Sequence, residues 1–236
     1  MKILDSLGVK RDDCFEKSEL VKRVEEHLQK QPNFKKQNTT KPETYDTKSE
    51  PKSTYQPSDK NWTYAPPPTH ICFKITSVGN SEVGKSCLIK RYCEGRFVKR
   101  YISTIGVDYG VKKLTIKDHP ISINFFDLSG NEEYKLIRTE FYEDTTGIVM
   151  VYDIDNRDSF SSLVHWEDEM KRNNVDMSRV KVIVCGNKCD TKGREVPLKD
   201  AQSWCKNRGY LHFETSASDA INVTEAFETL FSQCLD

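Results

Sequence analysis

The stretch Gly79-Asn80-Ser81-Glu82-Val83-Gly84-Lys85-Ser86 decides how this chain is read. It has the form Gly-x-x-x-x-Gly-Lys-Ser, follows a β-branched and aromatic run over 71–78, and opens a helical pattern near 86–94. Strand, glycine-bounded loop and helix start, in that order, aim a row of backbone N–H groups at one point. The positive end of the helix lies behind that point, and the arrangement holds a phosphate. In such a loop Lys85 reaches the β and γ phosphates and the Ser86 hydroxyl ligates Mg²⁺. A strand-to-helix turn with a chance Lys-Ser pair would give the same eight letters, so the neighbouring motifs decide.

Three further motifs stand in order along the chain. Asp127-Leu128-Ser129-Gly130 closes an apolar run, where a nucleoside triphosphatase needs an acid to hold Mg²⁺. Asn187-Lys188-Cys189-Asp190 closes a second run, and Glu214-Thr215-Ser216-Ala217 closes a third. Strands are expected at 71–78, 109–116, 121–127, 147–153, 180–186 and 210–214, with helices near 86–94, 132–143, 159–172, 198–208 and 223–234. The alternation predicts an α/β, doubly wound fold with a mainly parallel six-stranded sheet. Runs 109–116 and 121–127, joined through Lys117-Asp118-His119-Pro120, are too closely connected for a crossover and predict one antiparallel hairpin. Ligands of such sheets sit beyond the carboxyl ends of the strands, which is where all these motifs fall.

The rest of the 236 residues is less telling. Residues 1–30 carry two short helical patterns, Ile3, Leu4 and Leu7, then Leu20, Val21, Val24 and Leu28, which predict a helical hairpin loosely resembling SAP-like modules. Residues 31–69 are rich in Lys, Thr, Pro, Glu, Ser and Asn and predict a flexible, disordered linker ending in Pro66-Pro67-Pro68. The nucleotide-binding domain is expected over 70–236. The chain has 36 basic and 36 acidic side chains, so charge gives no reason to expect nucleic acid or an anionic membrane as a partner. Eight scattered cysteines, some inside apolar runs such as Val182-Ile183-Val184-Cys185, read as reduced thiols and predict a cytoplasmic protein.

In these motifs and their order, the domain resembles the Ras superfamily of small GTPases. Tyr101-Ile102-Ser103-Thr104-Ile105-Gly106-Val107-Asp108-Tyr109 is very similar to the first switch of the Rab subfamily. Lys85-Ser86-Cys87-Leu88-Ile89-Lys90-Arg91-Tyr92-Cys93-Glu94 is most similar to Rab-like proteins that carry a J domain, although the 236 residues hold no His-Pro-Asp signature. The resemblance implies GTP and GDP as ligands and Mg²⁺ as cofactor. It places Ser81, Glu82, Val83, Gly84, Lys85, Ser86 and Cys87 around the phosphates. Asn187 and Asp190 would read guanine, with Lys188 and Phe97 packed along the two faces of the base and Ser216 and Ala217 in the loop beside its oxygen. Ser86 and Thr104 would ligate Mg²⁺ directly and Asp127 through water, while Gly130 would donate its N–H to the γ-phosphate. Effector proteins would bind through the switch regions 95–110 and 127–145, and an exchange factor and an activating protein are implied.

Two departures from the family pattern bear on function. The family has Gln after Asp-x-x-Gly, where it orients the attacking water; here Asn131 stands one methylene shorter, which predicts slow hydrolysis. Lys85, Thr104 and Asn131 are therefore the candidate catalytic set. The sequence ends Phe231-Ser232-Gln233-Cys234-Leu235-Asp236, which fits no prenylation motif, so no direct lipid anchor is expected and membranes would be reached through a partner. Three readings follow: a slow GTPase switch in trafficking or signalling, a hydrolysis-deficient GTP-binding scaffold or adaptor, and a nucleic-acid adaptor acting through residues 1–30. Glu25 and Glu26 beside Lys22 and Arg23 deny the third a basic stripe.

Overall fold

A computed structural model describes residues 71–236. The expected hairpin at 1–30 and linker at 31–69 lie outside the described residues. Six strands, β1 (Ile71–Val78), β2 (Val107–Ile116), β3 (His119–Leu128), β4 (Gly147–Asp153), β5 (Lys181–Asn187) and β6 (Leu211–Glu214), form one sheet in the order β2-β3-β1-β4-β5-β6. All neighbours run parallel except β2 and β3. The helices are α1 (Lys85–Glu94), α2 (Lys135–Thr139), α3 (Arg157–Ser161), α4 (Leu163–Arg172), α5 (Leu198–Lys206) and α6 (Val223–Leu235). This is the doubly wound small GTPase fold that the motif order implied.

The central strands read as unbroken apolar runs because both faces are covered. On β4, Val149 and Val151 pack toward α1 and α6, meeting Leu88, Tyr92, Phe227 and Phe231. Their neighbours Ile148, Met150 and Tyr152 point the other way, toward Leu163, Trp166 and Met170 of α4 and Ala201 and Cys205 of α5. The two-residue period of a strand thus builds two cores from one sequence run.

The hairpin is tighter than the four-residue connection expected. Lys117 and Asp118 alone form the turn, at φ 49° and 64°, and Ile116 pairs directly with His119. Two residues of positive φ match the twist of the flanking strands. The helix expected at 132–143 is also shorter: a 3₁₀ turn at Glu132–Tyr134 leads into the five residues of α2. The helix expected at 159–172 is divided at Ser162, whose hydroxyl donates to Asp158 O at 2.7 Å, a back-bond that bends helices. It starts earlier than expected because the Asn156 side chain caps it, accepting from Ser159 N at 2.8 Å.

Topology sets the site. The chain leaves β1 between β3 on one side and β4 on the other, so the carboxyl ends of β1, β3, β5 and β6 surround a single crevice at the switch in strand order.

Candidate functional site

The crevice is a cavity of about 490 Å³ bordered by the loop after β1, the start of α1, the segment from Arg96 to Thr104, Gly130, and the loops after β5 and β6. Its floor is the loop between β1 and α1. Gly84 caps α1 at φ 98°, and a Cβ there would lie 2.2 Å from the Asn187 amide nitrogen, so this position accepts no side chain. Glu82 holds φ 67° without being glycine and lines the cavity.

Lys85 is buried, and its ammonium folds back over the loop, donating to Gly79 O and Asn80 O, both at 2.8 Å. Burial pulls its pKa down to about 8, against the raising influence of Asp127. The Asp127 carboxyl is pushed up by burial and drawn back by Lys85 and by hydrogen bonds from Ser86 and Ser77, the latter at 2.8 Å. Ser86 Oγ hydrogen-bonds Asp127 Oδ2 and lies 3.0 Å from Thr104 Oγ1, which in turn lies 3.5 Å from the same carboxylate oxygen. Two hydroxyls and a desolvated carboxylate, all hard oxygen donors drawn together from α1, the Arg96–Thr104 segment and β3, form a donor set that fits Mg²⁺.

At the other end of the cavity, Asn187 is buried and its amide is committed within the protein. Nδ2 donates to Val83 O at 2.8 Å, and Oδ1 accepts from Ala217 N at 3.3 Å and Thr215 Oγ1 at 3.4 Å. Lys188 holds φ 66° and its ammonium pairs with Asp153 Oδ2 at 2.6 Å. Phe97, Lys188, Asp190, Ala217 and Ser218 line this end. Ser216 is buried, its hydroxyl accepting from Asp219 N at 2.9 Å, and Val83, within the phosphate loop, is buried as well.

Of the residues singled out in the sequence, Ser81, Glu82, Gly84, Lys85, Ser86, Cys87, Phe97, Thr104, Gly130, Asn187, Lys188, Asp190 and Ala217 border one cavity. Asn131 does not border it. Its Oδ1 accepts from Glu133 N at 3.1 Å and its Nδ2 lies 3.4 Å from Glu133 Oε2, so the amide caps the 3₁₀ turn. Several bracing residues carried no signal in the sequence. Arg91 on α1 donates to Ala217 O and Ser218 O at 2.8 Å each, and Asp153 anchors Lys188. Arg91 lies in the Lys85–Glu94 run and Asp153 in no motif, and the bracing role of each is recognisable only once distant segments meet.

The phosphate loop at a strand order switch, the lysine folded over it and the hard-oxygen cluster define a nucleoside-triphosphate-binding domain. A sequence model of the Ras family matches residues 74–236, and the chain belongs to that family; its described residues form a GTP-binding small GTPase domain. It is similar to the protein named DnaJ homolog subfamily C member 27 in several vertebrates. With that of Gallus gallus it shares 45% identity over 167 residues, 69% of this chain and 61% of the relative. With that of Homo sapiens the identity is 43% over 174 residues, covering 72% and 64% of the two chains. With that of Danio rerio it is 44% over 167 residues, covering 69% and 61%. The chain spans a little under two thirds of the length of these curated relatives. Their name agrees with the likeness to Rab-like proteins that carry a J domain.

Proposed function

We propose that the chain is a guanine-nucleotide switch that hydrolyses GTP slowly and presents segments 95–110 and 127–145 to effector proteins in the GTP form. The observation that supports this best is the convergence of Ser86, Thr104 and Asp127 beside Lys85. It ties the Arg96–Thr104 segment to the phosphate end of the cavity through a single side chain, Thr104. In this reading Lys85 and the loop N–H groups hold the phosphates, Gly130 N–H meets the γ-phosphate, and Ser86, Thr104 and, through water, Asp127 hold Mg²⁺. When bound, Mg²⁺ supplies positive charge that neutralises the phosphate oxygens. Asp190 accepts from the guanine ring N–H and exocyclic amine, Lys188 and Phe97 flank the base, and the backbone at Ala217 meets its oxygen. Asn187 acts at one remove, by locking the loops that shape the base end.

Loss of the γ-phosphate frees Thr104 and Gly130, which is how the segments change partner. An exchange factor and an activating protein complete the cycle, in trafficking or signalling. The site of action is the cytoplasm, with recruitment to membranes through a partner.

Asp190→Asn tests the assignment. Exchanging acceptor for donor should reverse the preference for guanine over xanthine nucleotides, by on the order of 10⁴ in a competition assay. An unchanged ratio removes Asp190 from base recognition. A second reading, a GTP-binding scaffold that does not reset itself, is favoured by the Asn131 amide, which is committed to Glu133. Single-turnover hydrolysis of the purified protein, with and without cell extract, separates the two.

A further inference from the structure

Behind the phosphate loop the structure closes a ring of contacts that no motif announces. Asn80, inside that loop, accepts from the Trp166 indole N–H at 2.8 Å through Oδ1, while its Nδ2 lies 3.2 Å from Ser162 Oγ. The Arg138 guanidinium lies 4.6 Å from the Trp166 ring centroid, stacked as a cation over a π face. Arg138 then donates to the backbone oxygen of Asn131 at 2.8 Å. Its other two nitrogens grip Glu169 bidentately, both at 2.7 Å, and Tyr142 OH donates to the same carboxylate at 2.7 Å. The ring closes at Gly130, the neighbour of Asn131: a Cβ there would lie 2.4 Å from Asn80 C and Ser81 N, so the two loops touch backbone to backbone.

We propose that Trp166 and Arg138 are positioning residues that couple the phosphate loop to the loop after β3, so that Gly130 N–H is set by the same contacts that set Asn80. The inference rests on the reading of Gly130 as the γ-phosphate contact. The physical basis is the shortness and directionality of the circuit. Asn80 meets Gly130 directly on one side and, on the other, reaches Asn131 through one indole and one guanidinium. Arg138 is fully buried and tied to Glu169, so it cannot follow Asn131 if that carbonyl moves without breaking charge-assisted hydrogen bonds. Trp166 cannot tilt toward either loop without losing its hydrogen bond or its stacking. A shift of one loop therefore costs the other its support, and the ring favours one joint position of both.

Such coupling shows as discrimination between nucleotides. If the ring fixes Gly130 for the γ-phosphate, breaking it weakens GTP and spares GDP. Trp166→Phe keeps the aromatic face and removes the N–H, and Asn80→Ala removes the acceptor at the other end of the same bond.

The experiment measures Mg²⁺-GTP and Mg²⁺-GDP affinities of the full chain for wild type, both single variants and the double variant, with Trp204→Phe as a control on α5. Each single variant should lower the GTP-to-GDP affinity ratio by about fivefold or more, the size of an ordinary coupling between sites. The double variant should do no worse than Asn80→Ala alone, because the bond that Trp166→Phe removes is already gone there. Trp204→Phe should leave the ratio unchanged. Equal weakening of GTP and GDP would show that Trp166 only supports the fold, and additive losses would show that Asn80 and Trp166 act separately; either result overturns the proposal. A wild-type protein that bound no guanine nucleotide would instead remove the reading on which the inference rests.

Discussion

The two segments that border the Lys85 end of the cavity are held by opposite means. The first, from Arg96 to Gly106, leaves Tyr101, Ile102 and Ile105 more than half exposed, and its side-chain hold on the site is the Thr104 hydroxyl. The second, from Ser129 to Tyr142, is pinned by Arg138, which is fully buried and reaches Glu169, Glu132 and the Asn131 backbone. Burial pushes the Glu169 carboxyl up, but hydrogen bonds from Arg138 and Tyr142 outweigh it and hold it below the usual range. A segment fixed by one hydroxyl beside a ligand site takes its order from what binds there. A segment fixed by a buried ion pair takes its order from the fold, and presents an outer face that includes the exposed Glu132, Glu133, Lys135, Leu136 and Glu140.

The largest effect expected from this contrast is at Arg138. Arg138→Ala takes both guanidinium hydrogen bonds from the buried Glu169, leaves it only the half-exposed Lys135 ammonium at 3.6 Å as a cation, and should cost about 3 kcal/mol of folding stability. Melting followed by circular dichroism should fall by roughly 10 °C with or without nucleotide. A loss under about 1 kcal/mol would break the contrast, since the second segment would then not be held by the protein itself. Thr104→Ala should do the reverse. Mg²⁺-GTP affinity should fall about tenfold while GDP affinity and melting stay unchanged, because a ligand contact is lost and no packing is. A drop in melting temperature would mean the first segment belongs to the fold.

Asn131→Gln probes both properties at once. Gln caps poorly, so the 3₁₀ turn should lose about 1 kcal/mol, while the freed, longer amide should raise single-turnover hydrolysis about tenfold. A flat rate would place control of the water with Ser129, Leu128 or a partner. The smallest effect concerns Lys85. Burial holds its pKa at about 8, so above that value the ammonium proposed to meet the phosphates is progressively lost from the free protein. Nucleotide affinity should fall by about fourfold between pH 7 and pH 8.5. In the folding equilibrium the sign is opposite: the lowered pKa is a cost that is full below pH 8 and is relieved as pH rises from there toward the ordinary lysine value. An affinity that is flat across this range would show that Lys85 does not set the pH response.

The contrast also separates what could be read along the chain from what could not. Local strings carried the first kind: the phosphate loop, the apolar runs ending in Asp127, Asn187 and Glu214, and the hairpin, whose crossover-forbidding length is a property of neighbours in sequence. The sequence of the second bordering segment predicts a helix over 132–143. It is a 3₁₀ turn and five helical residues because Asn131 caps one end and Tyr142 leaves the helix to reach Glu169 on α4. That partner is 27 residues away, and no window of sequence contains both. Asn131 shows the same limit: one methylene of side-chain length was legible, but its commitment to Glu133 was not.

Asn187 raises a different matter, that of redesign. One amide group joins the loop after β1 to the loops after β5 and β6, through Val83, Thr215 and Ala217. The two halves of the cavity are therefore not independent modules that could be exchanged one at a time. On the proposed reading, a change at Asn187 would disturb both ends of the cavity, whereas Asp190, exposed at the rim, can be altered alone. An orthogonal version of this protein, answering to a nucleotide the cell does not otherwise use, would have to start there.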